Sequence, residues 1–149
     1  MNAPTPQSPA LVDFKRLFDA SPNPSLVLDR RLRIVGANQA YLASIGRELD
    51  DIVDRPAWDV IPLDQATIRQ VSASLDKVIA TGKPDTTVPL RVTVPRSGTG
   101  GGTQERYWTI THAPVPDDAG EVAFVLQHPV DVTGPVSYTH LTLPTILRV

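Results

Sequence analysis

LRIVGANQAYLASIG, residues 32–46, changes its periodicity halfway along, and that change decides the fold. Leu32, Ile34 and Val35 are β-favouring residues among polar neighbours, which predicts a strand. A turn is expected at Gly36 and Ala37. Tyr41, Leu42 and Ile45 then recur at helical spacing, and Gly46 suits a left-handed helix end. Between the two halves stands Asn38, a structural cap candidate whose side-chain oxygen can accept an orphan N–H of the first turn. Aspartate at 38 should cost less than alanine, since a carboxylate also accepts that bond and suits the positive end of the helix dipole.

Working outward, residues 1–10 are proline-rich and polar, and are expected to be disordered. Leu11, Val12, Phe14, Leu17 and Phe18 predict a short amphipathic helix, stopped by the Ser21-Pro22-Asn23-Pro24 run. SLVLD at 25–29 reads as a strand, paired as an antiparallel hairpin with the strand that starts at Leu32. Downstream of Gly46, residues 48–53 and 56–61 predict two short helical segments, with Trp58 and Ile61 facing inward. Asp64 caps a longer helix to about Ala80, striped by Ile68, Val71, Leu75, Val78 and Ile79. Pro62 ends the segment before it, and Thr81-Gly82-Lys83-Pro84 stops the long helix.

Three further strands are expected at 87–94, 105–112 and 121–130. On the first, Val88, Leu90, Val92 and Val94 share a face, and Pro89 argues for a sheet edge. Residues 96–104 form a glycine-rich connection and 116–120 a turn. Five strands, with helices grouped between the second and third, read as α+β.

The composition is that of an ordinary globular domain, 41% apolar and 20% charged over 149 residues. A net charge of −2 without a Lys/Arg run leaves nucleic acid no electrostatic footprint. No apolar run approaches a membrane span, and the N-terminus lacks the pattern of a secretory signal, so the expected location is the cytoplasm. With no cysteine, the chain has no disulfide, thiolate metal site or cysteine nucleophile.

Motifs for chemistry are sparse. GTGGG at 98–102 lacks the strand–loop–helix setting and the Lys-Ser/Thr of a phosphate loop. Asp50-Asp51 and Asp117-Asp118 sit in turn or surface contexts. His112, His128 and His140 lie in no zinc-like spacing, so no metal site is expected. On the strand at 105–112, Trp108, Ile110 and His112 alternate to one side. Apolar walls with one polar group suit a small molecule, while a filled core with His112 bonded to backbone is the competing reading.

LFDASPNPSLVLDRRLRIVGANQAYLASIGRE, then RPAWDVIP, then ERYWTITHAPVPDDAGEVAFVLQHPV and a closing DVT at 131–133 together resemble a PAS domain over residues 11–133. The resemblance implies a five-stranded antiparallel sheet in the order 2-1-5-4-3, with short helices on one face. It turns the Trp108 side toward the helices, with Tyr41, Trp58, Leu75, Ile110 and His112 as the other pocket candidates. It implies a non-enzymatic sensor of a small ligand or partner, cut from a two-component or similar signalling protein whose output domain is absent. A homodimer through the 11–18 helix is expected; a PAS interaction module with a filled core is the alternative, and a small α+β enzyme a further one. The cofactor stays open: the chain has no cysteine for a covalent flavin adduct and no histidine on the long helix for haem. Residues 134–149 do not belong to this domain. SYTHLTLPTILRV at 137–149 resembles a string found where translated assemblies run into foreign sequence, and is expected to be non-native or disordered; a terminal strand is the alternative.

Overall fold

The computed structural model describes residues 11–61, 63–96 and 100–134. The expectations for residues 1–10, Pro62, the 97–99 part of the glycine-rich loop, His140 and the tail from 135 lie outside the described residues. Helix α1 spans Phe14–Ala20, not 11–18, because the Asp13 carboxylate accepts the Arg16 N–H at 3.2 Å and starts the helix there.

Strands β1 (Leu26–Asp29) and β2 (Ile34–Ala37) form an antiparallel hairpin. The Asp29 carboxylate accepts the N–H groups of Arg31 at 2.8 Å and Arg33 at 3.0 Å, which winds the turn tightly. Leu32, expected to open the second strand, is instead part of this turn, at a left-handed φ of 62°. The expected turn at Gly36 and Ala37 is strand: Gly36 pairs with Val27 and Ala37 with Leu26. Pairing carries the backbone straight to Asn38, where α2 (Gln39–Ile45) begins without an intervening turn. Gly46 ends α2 at φ 65°, a conformation costly for any residue with a Cβ.

Helices α3 (Leu49–Ile52) and α4 (Ala57–Val60) follow. The segment between them covers the free edge of β2: Ile34 donates to the Arg55 carbonyl at 3.0 Å, and Asp54 to the Ile34 carbonyl at 2.7 Å. Helix α5 (Gln65–Thr81) is capped by Asp64, which accepts the Thr67 N–H at 2.7 Å, and closed by Gly82 at φ 67°. No helix among the described residues is long and apolar enough to cross a membrane.

The rest of the sheet is β3 (Asp85–Thr86), β4 (Leu90–Pro95), β5 (Thr103–Pro116) and β6 (Val122–Asp131). The single strand expected at 87–94 is divided. Thr87 donates its N–H to the Ile110 carbonyl, and its Oγ1 accepts the Ile110 N–H, both at 3.0 Å. A side chain thus fills a place in the ladder that a backbone carbonyl would hold, while Pro89 offers no N–H. The break turns Val88 out, 67% exposed, whereas Leu90 and Val92 stay buried.

All pairings are antiparallel, in the order β2-β1-β6-β5, with β3 and β4 both along the far side of β5. Counting β3 and β4 as one interrupted strand, this is the expected order. One sheet face supplies Leu26, Leu28, Leu90, Ile110 and Val125 to the core, against Tyr41, Leu42, Ile52, Val60, Val71, Leu75 and Val78 from the helices. Each fully buried aliphatic side chain contributes roughly 1.5–3 kcal/mol.

Candidate functional site

The six pocket candidates meet the core in different ways. Tyr41, Leu75 and Ile110 are buried in the main apolar cluster, and Trp58 packs against it half-buried. His112 is fully buried and Trp108 half-buried. Burial pushes the Tyr41 hydroxyl pKa up to about 12. Trp108 lies directly across the ladder from Asp131. Against burial, which would raise it, the bonds from Thr133, the charge of Arg106 at 3.4 Å and, least of all, the Trp108 indole hold the Asp131 carboxyl below the usual range. The buried indole Nε1 has no hydrogen-bond partner among the described residues.

His112 is bonded by side chains. Its Nδ1 is 2.8 Å from Ser74 Oγ, and its Nε2 is 3.1 Å from Gln127 Oε1. Ser74 donates to Asp85 Oδ2 at 2.7 Å, and Lys77 Nζ stands 3.1 Å from Asp85 Oδ1. A polar relay, Lys77–Asp85–Ser74–His112–Gln127, therefore crosses the core from α5 through β3 and β5 to β6. The Ser74 hydroxyl, with Lys77 behind it, holds the Asp85 carboxyl below the usual range. Burial pushes the His112 imidazole pKa down, against the Gln127 bond and the Asp85 charge, which favour the cation.

Ser, His and Asp within hydrogen-bond reach invite comparison with a nucleophile triad. There the histidine stands between serine and carboxylate and takes the serine proton. Here the serine stands in the middle and gives its proton to Asp85, so its oxygen gains no nucleophilicity.

Asn38 forms a second buried polar cluster, with no exposed surface. Its Oδ1 accepts the N–H groups of Tyr41 at 3.0 Å and Ser25 at 2.9 Å. Its Nδ2 donates to the carbonyls of Phe18 at 3.1 Å and Asn23 at 2.8 Å. All four bonding positions of the amide are filled by backbone, joining the end of α1, the 21–25 segment and the start of α2. This reverses the expected rank of substitutions. An aspartate keeps the two accepted bonds but sets a buried carboxylate against two carbonyl oxygens.

A cavity of about 670 Å³ opens between the start of α5 and β4, walled by Leu63, Thr67, Gln70, Leu90, Val92 and Glu105 among others. None of the six candidates lines it. Leu90, one of its walls, is the direct cross-strand partner of Trp108. Arg91 and Glu105 form an ion pair on its rim.

Sequence reasoning missed Ser74, Asp85 and Gln127. Ser74 lies three residues after Val71 and four before Val78, on the buried stripe, and only apolar positions were read there. Gln127 alternates with buried Val125 on β6, so its inward face was legible in the spacing. Asp85 carried no such signal, because β3 exists only through the break at Thr87.

Together, the sheet order, the helices on one face and the core helix α5 define an α+β domain built on one antiparallel sheet. A PAS-fold family profile matches residues 18–136, and the chain belongs to the PAS family. The PAS domain of Bordetella pertussis BvgS is similar at 22% identity and a TM-score of 0.61, covering 91% of this chain and 96% of that one. A sensory box histidine kinase of Vibrio cholerae aligns at 12% identity and TM-score 0.55, over 80% and 88%. VqmA bound to DPO aligns at 22% identity and TM-score 0.58, over 78% of this chain and 56% of that one. At these identities the likeness concerns the fold. A comparison with curated protein sequences found no match.

Proposed function

We propose that this domain is the ligand-responsive input of a cytoplasmic signalling protein, non-catalytic in itself, whose bound molecule shifts the balance between two core arrangements. The observation that carries this reading is the buried Trp108 Nε1, which has Asp131 nearby but completes no hydrogen bond among the described residues. An unmet buried donor costs about 1–3 kcal/mol, and an acceptor on a bound molecule would recover it. The neighbouring cavity, which reaches Leu90 but not its cross-strand partner Trp108, is within the size range of small-molecule sites. Tyr41, Trp58, Leu75, Ile110 and His112 would form the wall behind Trp108. That VqmA is bound to DPO favours the reading by analogy of fold.

Native mass spectrometry of the purified domain, before and after denaturation, tests it. A retained small molecule lost on unfolding, and lost also in Trp108→Phe, supports the ligand reading. A bare chain under every expression condition argues against it.

A second reading, a dimerisation module with a filled core, is favoured by α1 and the segment before it. Leu11, Phe14 and Leu17 are 99%, 76% and 58% exposed. Apolar side chains this open suit a partner copy. Sedimentation of wild type and of Phe14→Glu with Leu17→Glu distinguishes them: this reading requires a dimer that the double substitution separates.

A further inference from the structure

The protons in the buried relay can be counted. The Asp85 carboxylate, held in its charged form by Ser74 and Lys77, only accepts hydrogen bonds. Ser74 has one proton and gives it to Asp85 Oδ2 at 2.7 Å. The same oxygen, 2.8 Å from His112 Nδ1, must then accept there. Nδ1 therefore carries a hydrogen whether the ring is neutral or charged, and the only nitrogen left to titrate is Nε2.

Among the described residues Nε2 faces Gln127 alone, at 3.1 Å. A charged ring donates Nε2–H to Gln127 Oε1, the orientation seen. A neutral ring needs a donor instead, which Gln127 supplies when its amide turns over by half a rotation. Both charge states are thus satisfied, at the cost of one amide flip. From this geometry we infer that His112 and Gln127 form a proton-operated switch: gain of a proton at Nε2 reverses the Gln127 amide and transmits the change to β6.

The surroundings make β6 the receiving element. Ser74 anchors the ring to α5 and Asp85 to β3, and neither bond changes direction on protonation. Gln127 alone reverses. It is cross-strand partner to His112 on β5 and to Leu26 on β1. Four residues on, β6 ends at Asp131, where Val132 and Thr133 hold the departing chain to Tyr107 at 2.8 and 3.0 Å. The charged groups facing His112 are Asp85 from β3 and, behind it, Lys77 from α5; β6 presents Gln127, and β1 presents the apolar Leu26. Burial sets the titration below the ordinary histidine value, so the switch operates on acidification. It needs no small molecule and stands whether or not one binds.

The test is a titration of the ¹⁵N-labelled chain from about pH 8 to pH 5, following the ring nitrogens of His112 and the side-chain amide of Gln127 by NMR. The expected result is Nδ1 protonated throughout, Nε2 alone changing, and the Gln127 amide with its β6 neighbours moving at the same midpoint. Ser74→Ala should remove the Nδ1 preference while the ring still titrates. A neutral ring protonated on Nε2, a ring silent over this range while the chain stays folded, or Gln127 signals that ignore the ring would each overturn the inference. So would a Ser74→Ala chain that keeps the Nδ1 preference.

Discussion

Asn38 and His112 are both buried polar side chains with every position satisfied, yet they are satisfied differently. Four backbone groups hold Asn38, and none of them can change its role as donor or acceptor. Side chains hold His112: Ser74 is committed as an acceptor by its bond to Asp85, while Gln127 can serve as either donor or acceptor. Backbone partners fix a single arrangement of α1, β1 and α2. Side-chain partners allow a second arrangement of bonds where α5, β5 and β6 meet. A sensory domain needs both: a rigid frame, and one place where a small input changes the bonding.

The largest expected effect is at the rigid end. Asn38→Asp should destabilise the domain by on the order of 3–5 kcal/mol, because a buried charge then faces the Phe18 and Asn23 carbonyls. Asn38→Ala should cost about 2–3 kcal/mol, losing the cap and leaving backbone groups unmet. Urea unfolding orders the two; an aspartate variant more stable than the alanine one would mean the donated bonds carry little weight.

Smaller is His112→Leu, of similar bulk, at about 1–3 kcal/mol from the unmet Gln127 amide. Ser74→Ala should cost about 1 kcal/mol. It should also raise the titration of the Asp85 carboxyl, since Ser74 is what chiefly holds it down. Carbon-detected NMR of that carboxyl reads the shift, and an unmoved midpoint would assign the hold to Lys77. Smallest is Phe14→Glu with Leu17→Glu, within about 0.5 kcal/mol for the monomer because both side chains are exposed.

How much was legible in the sequence follows the same division. The long helix and the alternation of Trp108, Ile110 and His112 to one side rest on periodicity, which a sequence displays directly, whereas the sheet order and the direction of that side came from the PAS resemblance. The strand–helix junction was placed correctly at Asn38, but its turn was not: pairing with β1 extends β2 through Ala37, and only tertiary contact decides that. Likewise no local signal says that Thr87 Oγ1 replaces a carbonyl in the ladder and splits a strand. The two donated bonds of Asn38 reach 15 and 20 residues back along the chain, beyond any capping pattern. Ser74 and Gln127 were readable as inward-facing, but their meeting at one histidine required the fold.

The most direct test of fixed frame against responsive relay is the pH dependence of stability in wild type, Asn38→Ala and His112→Leu. The His112 pKa is depressed in the folded chain, so the unfolded chain binds the proton more readily. The stability this contributes is complete above the unfolded value of about 6.5 and is lost as pH falls below it, toward the folded value. Urea unfolding from about pH 8 to pH 5 should therefore give parallel falling curves for wild type and Asn38→Ala, offset by a constant cost, with a flatter curve for His112→Leu. Three parallel curves would contradict the account, because His112 would then titrate alike in the folded and unfolded chain.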